Sequence, residues 1–274
     1  MRFACMTANY VAREVGYQAN TVSHDWGICH TATVDAFHGA RFEDKFEALI
    51  SDIRDIGFDA IELWVAHLDP FRATPSMIGQ AVSIVERYGV EIIGYTAGFG
   101  TPGVSREDAL RVFETAQAIG AKVLAQGFHP ANGELVQELC TRYNIRVGLE
   151  NHPEKEPQEV IEKVKPFYPW IGSANDTGWF ATHGYDAARA TRELRDVLIH
   201  VHLKDILAVG GHDTCALGDG IVDIRGVMQA LQDMDYDGII TIEHEPMDHD
   251  PTEDCRTSLL RAQQWWSKLS EAPI

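Results

Sequence analysis

Arg146-Val-Gly-Leu-Glu150-Asn-His152, Ile171-Gly-Ser-Ala-Asn-Asp176, His200-Val-His202-Leu-Lys204-Asp205 and Ile239-Ile-Thr-Ile-Glu243-His-Glu245 are four short, largely apolar runs, each ending in charged or imidazole side chains. In an extended chain successive side chains alternate between faces. Val147 and Leu149 therefore oppose Gly148, Glu150 and His152, and Val201 and Leu203 oppose His200, His202 and Lys204. Small residues on the inward face (Gly148, Gly172, Ala174) are expected to leave room at the mouth of whatever the strands enclose.

Working outward, the same rhythm fills the chain. Strands are predicted at 2–7, 60–64, 91–97, 122–127, 146–150, 170–176, 198–204 and 238–243, with helices starting near Phe42, Thr74, Ser105, Gly133, Pro157, Tyr185, Ile224 and Thr252. Ser105-Arg-Glu-Asp108 offers a capping oxygen and first-turn acids, and Pro157 between Glu156 and Glu159 suits a first helical turn. Gly57, Gly89 and Gly120 follow helical segments, where a left-handed cap favours glycine. Eight alternating βα units predict an α/β fold: one (β/α)8 TIM barrel over residues 1–274, with its active site at the C-terminal ends of the strands. An open doubly wound sheet is the alternative, but Thr7-Ala-Asn-Tyr after the first strand lacks its glycine-rich turn. Two connections are long. Residues 9–41 carry Tyr17, His24, Trp26, His30 and His38, and residues 206–222 are glycine-rich; both are expected to be lids, specificity loops or subunit contacts.

A buried carboxylate without a partner is costly, and four adjacent strands each ending in one polar group call for a shared explanation. One divalent cation held by Glu150, Asp176, His202 and Glu243 supplies it. Three carboxylates and one imidazole suit Mn²⁺, Mg²⁺ or Co²⁺ better than zinc. His200, lower in its strand, is expected to be a hydrogen-bonded core histidine. His152 is open to reading as a substrate contact, a base or a supporting group.

These runs resemble the xylose-isomerase-like sugar isomerase/epimerase superfamily, and Leu217-Gly-Asp-Gly-Ile-Val-Asp223 with Tyr236-Asp-Gly238 is similar to its C-terminal third. The resemblance implies a barrel with one metal, Mn²⁺ foremost, on those same four residues. It implies removal of a proton beside the carbonyl of a keto-sugar, with Glu150 and Glu243 moving the proton. Two positions depart from the epimerase pattern: Trp179, where a substrate-contacting His is common, and Ala208, where an Arg is common. His202 to Asp205 looks more like dehydratase and lyase branches, in which a 3-keto-glycoside or inosose loses a β-substituent. In that reading Glu150 or His152 is the base, and Lys204 or a loop histidine the acid. His152, Trp179, Lys204 and His212 are the expected substrate contacts.

Composition narrows the classes. The 274 residues carry a formal charge of −18, which repels a phosphate backbone, so a nucleic-acid partner and a multi-metal nuclease of the same fold are disfavoured. Five scattered cysteines without a CxxC pair fit a reducing compartment. No run approaches the roughly 18 apolar residues of a membrane span, and the N-terminus lacks a signal-peptide pattern. A cytoplasmic enzyme acting on a small sugar is expected, with a sugar-binding barrel as its non-catalytic rival. A homo-oligomer or a hetero-subunit partner stays open.

Overall fold

In a computed structural model, which describes residues 1–18 and 26–270, eight parallel strands close into a barrel. They are β1 (Phe3–Met6), β2 (Ala60–Trp64), β3 (Glu91–Thr96), β4 (Val123–Gln126), β5 (Arg146–Glu150), β6 (Ile171–Asp176), β7 (Leu198–Leu203) and β8 (Ile240–Ile242). Each strand pairs with its chain neighbours, and β8 closes on β1 through Phe3↔Ile240, Ala4↔Thr241 and Cys5↔Ile242. The open-sheet alternative is thereby excluded.

The helices lie outside for reasons visible in their residues. On α2 (Phe42–Ile56), Phe42, Phe46, Leu49, Ile50, Ile53 and Ile56 recur every three or four positions and are buried. Helix α3 (Pro75–Tyr88) starts on the Thr74 side chain, which accepts from Met77 N–H, with Pro75 in its first turn, and ends at Gly89 in the left-handed region (φ 62°). Ser105 caps α4 (Arg106–Ala118) in the same way. Glu156 and Glu159 form a reciprocal capping box around the first turn of α6 (Pro157–Val164).

Two expectations are corrected, and the helix near Tyr185 is found with a short one before it. The stretch 9–41 is more than a loop: two 3₁₀ turns and a helix, α1 (Trp26–Phe37), occupy much of it. The helix expected near Tyr185 is preceded by a short α7 (Thr177–Thr182) that springs directly from the end of β6 and is capped by Asp176; α8 is Ala187–Glu193. Gly172 does not open the mouth. The register of β6 on β7 shifts between Ser173 and Ala174, and a side chain at 172 would strike the Val197 carbonyl and Ile199, so strand packing requires that glycine.

Residues 205–206 and 214–215 form a two-stranded hairpin above β7. Asp205 holds the segment that follows: its carboxylate accepts N–H groups of Ile206, Gly218, Gly220 and Val222 at 2.8–3.0 Å. This accounts for Lys204-Asp205 and Leu217–Asp223 occurring together, one supplying the acceptor and the other the donors. The remaining helices are α5 (Gly133–Tyr143), α9 (Ile224–Asp233) and α10 (Thr252–Ser270). Among the described residues no helix is long and apolar enough to cross a membrane.

Candidate active site

The C-terminal ends of the strands surround a cavity of about 1120 Å³. Glu150, His152, Asp176, Trp179, Lys204, His212, Glu243 and Glu245 line it, so the expected acid–base and substrate-contacting residues reach one space. His202 lies just beneath, fully buried. Its Nδ1 stands 3.2 Å from Glu150 Oε1 and 3.4 Å from Glu243 Oε2. Asp176 joins through Lys204, whose Nζ is 3.4 Å from Asp176 Oδ2, 3.2 Å from Glu243 Oε1 and 3.1 Å from Glu245 Oε2. His152 completes the ring, with Nδ1 3.5 Å from Glu150 Oε1 and Nε2 3.5 Å from Asp176 Oδ2.

The local sequence sets each of these positions. Asp176 ends β6 and caps α7, its Oδ1 accepting from Gly178 and Trp179 N–H, which leaves Oδ2 for the cavity. Asn151 clasps the Asp176 main chain from both sides: its amide donates to Asp176 O at 3.0 Å and its carbonyl accepts Asp176 N–H at 2.7 Å. Thr177 accepts Lys204 N–H and donates to Lys204 O. Position 178 must be glycine because a Cβ there would meet Lys204 Cγ at 2.6 Å.

A residue that the strand-end pattern did not single out supports the imidazole from below. Glu62, in the middle of β2 and fully buried, accepts from His200 Nε2 at 2.7 Å and from Thr241 Oγ1 at 2.7 Å, and both its oxygens are 3.1 Å from His202 Nε2. His200 is thus a hydrogen-bonded core histidine. Burial alone would raise the Glu62 carboxyl, but the His202 and His200 charges hold it well below the usual carboxylate range. With Nε2–H committed to Glu62, His202 presents Nδ1 to Glu150 and Glu243.

The charges around that point do not balance without positive charge at Nδ1. Glu150, Asp176, Glu243 and Glu245 face the single ammonium of Lys204. Burial pushes Glu243 well above the carboxylate range, helped by Glu245 and Asp176 and opposed by Lys204 and His202. Glu150 goes the other way: burial raises it, but His152, His202 and Lys204 together bring it down to about 2. Glu243 Oε2 is buried and has no hydrogen-bond partner. A cation among Glu150, Asp176, His202 and Glu243 would use that oxygen and the Nδ1 lone pair and would offset the excess negative charge, so the donor set fits a divalent ion.

Aromatic rings form two walls. On one side the rings of Trp26 and Trp64 lie 5.2 Å apart, with His30 5.4 Å from Trp64; on the other, Trp179 lies 4.2 Å from His152 and stacks on His212 at 5.5 Å. Of the other histidines of the 9–41 stretch, His38 is structural, bonded to Val34 O and Asp69 N–H, and His24 lies outside the described residues.

With this geometry in hand, comparison with known proteins gives the family. A family model described as a xylose isomerase-like TIM barrel matches residues 50–265. The chain belongs to that family. A D-tagatose 3-epimerase-like protein superposes with a TM-score of 0.69 at 19% identity, covering 99% of both chains. The probable 3-DHS dehydratase AsbF of Bacillus anthracis gives 0.69 at 15% identity over 96% of this chain and 99% of that one. The 3-keto-D-glucoside 4-epimerase YcjR of E. coli gives 0.61 at 17% over 80% and 94%. At these identities the likeness is one of fold. An uncharacterised protein of Methanocaldococcus jannaschii is 30% identical over 122 residues; the match spans about 40% of the length of each.

Proposed function

We propose that the protein is a divalent-metal-dependent enzyme that removes the proton beside the carbonyl of a keto-sugar and returns it to give an isomer or epimer. The convergence of Glu150, Asp176 and Glu243 at one cavity with His202 just beneath, Glu243 Oε2 being buried without a hydrogen bond, carries this reading. Those four residues would hold the ion, and the oxygen-rich set favours Mn²⁺ over zinc. When bound, such an ion supplies a Lewis acid beside the substrate carbonyl.

The chain's own groups do the rest. One of the carboxylates next to His202 Nδ1, Glu150 or Glu243, accepts the proton leaving carbon, and the other returns one, so no net proton is consumed. Lys204, braced by three carboxylates, directs an N–H into the same space for the oxygen that gains negative charge. Glu62 holds His202 in a single tautomer and orientation. His152, Trp179 and His212 position the sugar from the mouth.

A second reading uses the same first step and is favoured by the two aromatic walls and by Lys204. A cavity of about 1120 Å³ with rings on opposite sides has room for more than one sugar ring. In a 3-keto-glycoside the carbanion electrons would expel the β-oxygen substituent, which takes a proton from Lys204, giving an unsaturated keto-sugar and a free alcohol.

One experiment tests both readings. Chelator-stripped protein, with and without returned Mn²⁺, is incubated with ketoses and 3-keto-glycosides in D₂O and followed by NMR. Metal-dependent deuterium uptake with an isomeric sugar supports the first reading; metal-dependent formation of an unsaturated sugar with a released alcohol supports the second. Absence of both metal-dependent uptake and metal-dependent elimination on every member of the panel sinks both.

A further inference from the structure

We propose that His244, His249 and Asp254 form a second divalent transition-metal site, zinc-like in its donors, at the rim of the cavity and separate from the central carboxylates. His244 Nε2 lies 3.1 Å and His249 Nε2 2.9 Å from the same oxygen, Asp254 Oδ2, and the three donor atoms all lie within 4.8 Å of one another. In a tetrahedral site with bonds of 2.0–2.1 Å neighbouring donors stand roughly 3.3 Å apart, and both imidazole–carboxylate separations already lie close to that spacing.

The second nitrogens of both rings are already engaged as metal-binding imidazoles require. His249 Nδ1 is 2.6 Å from Asp248 Oδ1, a carboxylate–imidazole pair that leaves Nε2 facing the site. His244 Nδ1 is 2.9 Å from Thr214 Oγ1, and that hydroxyl also accepts Glu245 N–H. His244 is itself 1% exposed, and its main-chain N–H is fixed on the Asn9 side chain. Strand alternation sends Glu243 and Glu245 to the cavity and His244 away from it, toward the first turn of α10 where Asp254 sits.

The two sites differ in the ion they would select. Three carboxylates and one imidazole at the centre suit harder ions, whereas two imidazoles and one carboxylate at the rim suit zinc, with an open position for water. Because Thr214, Asp248 and His249 also line the cavity, an ion on the rim would clamp the segment from Glu245 to Pro251 onto α10. That would fix the wall carrying Pro246 and Met247. The proposal does not depend on the central metal.

The test is zinc stoichiometry of the chelator-stripped full chain, by titration calorimetry and by metal analysis after desalting. His249→Ala, at a half-exposed position, is expected to lower the bound zinc by one per chain. Asp254→Asn is expected to weaken the same equivalent by at least about 100-fold, the upper end of what losing a mere supporting partner costs. In a Glu150→Gln/Glu243→Gln chain one equivalent should persist and should vanish when His249→Ala is added. Equal zinc in the original and His249→Ala chains would overturn the proposal. A failed central site would instead leave the double variant binding as much zinc as the original chain, with the His249 difference intact.

Discussion

Strands β5 to β8 and the residues after them bring Glu150, Asp176, Lys204 and Glu243 to the cavity, whereas β1 to β4 end there in Met6, Trp64, Thr96 and Gln126. One half of the mouth concentrates charge; the other presents apolar, aromatic and neutral surface. A proton taken from carbon needs a base and an acid held close together, and a sugar needs a surface to lie against. The division predicts that changes on the charged half act on turnover and changes on the other half act on binding.

The largest expected effect is at Glu243. Glu243→Gln keeps the shape and removes the charge, and turnover should fall by roughly 10²–10⁴, the usual contribution of an acid–base group. Deuterium uptake from D₂O measures the step directly. Full activity of this variant would end the assignment of proton transfer to the charged half.

Glu62 is the exception that sharpens the contrast, because it enters from β2 yet serves the charged half. Glu62→Gln should weaken Mn²⁺ binding by about 10–100-fold, as loss of a partner behind a ligating imidazole does. Thr241→Val, which removes only one of its hydrogen bonds, should do less. Unchanged metal affinity in Glu62→Gln would confine Glu62 to holding the core together.

Why was the charged half legible in the sequence and Glu62 not? Glu150, Asp176, His202 and Glu243 each lie at or within one residue of the end of a short strand, and the barrel gathers strand ends at one place, so their position in the chain carries their position in space. Glu62 sits mid-strand in Ala60-Ile-Glu-Leu-Trp64, and its significance comes from His200, His202 and Thr241, 138 to 179 residues away. No local pattern encodes such a contact. The same holds for Asn151, whose clasp on Asp176 depends on the pairing of β5 with β6, and for the rings of Trp26 and Trp64, which meet only once α1 has folded over β2. Asp205 closes the His202–Asp205 run in the sequence, but its carboxylate is spent on four main-chain N–H groups.

The uncharged half has its own pH signature. His67, behind Trp64, is buried, with Nδ1 3.0 Å from Thr7 Oγ1. Burial, with the charges of Arg13 and His38, brings its imidazole down to about 3. A histidine with a depressed folded-state value binds its proton more readily when unfolded. Its contribution is therefore complete above the ordinary value of 6.5 and is lost as pH falls from there toward 3. Between pH 6.5 and 5 the cost should be roughly 1.5 kcal/mol, read from urea denaturation at the two pH values. His67→Asn should flatten that part of the profile. An unchanged slope in His67→Asn would assign the acid sensitivity to other groups.

The smallest effect separates the two aromatic walls. Among the described residues the Trp64 ring meets those of Trp26, His30 and His67, away from the proposed acid–base groups, so Trp64→Ala should raise KM by roughly 10-fold at most, the scale of about 0.5–1.5 kcal/mol for a lost ring contact. Trp179 presses on His152, which in turn touches Glu150 and Asp176, and its indole N–H donates to Glu154 O at 2.9 Å. Trp179→Ala should therefore lower kcat as well as raise KM, because it frees the imidazole that borders both carboxylates. If both variants changed KM alone, His152 would be a wall residue like Trp64, and the charged half would shrink to the groups around His202 and Lys204.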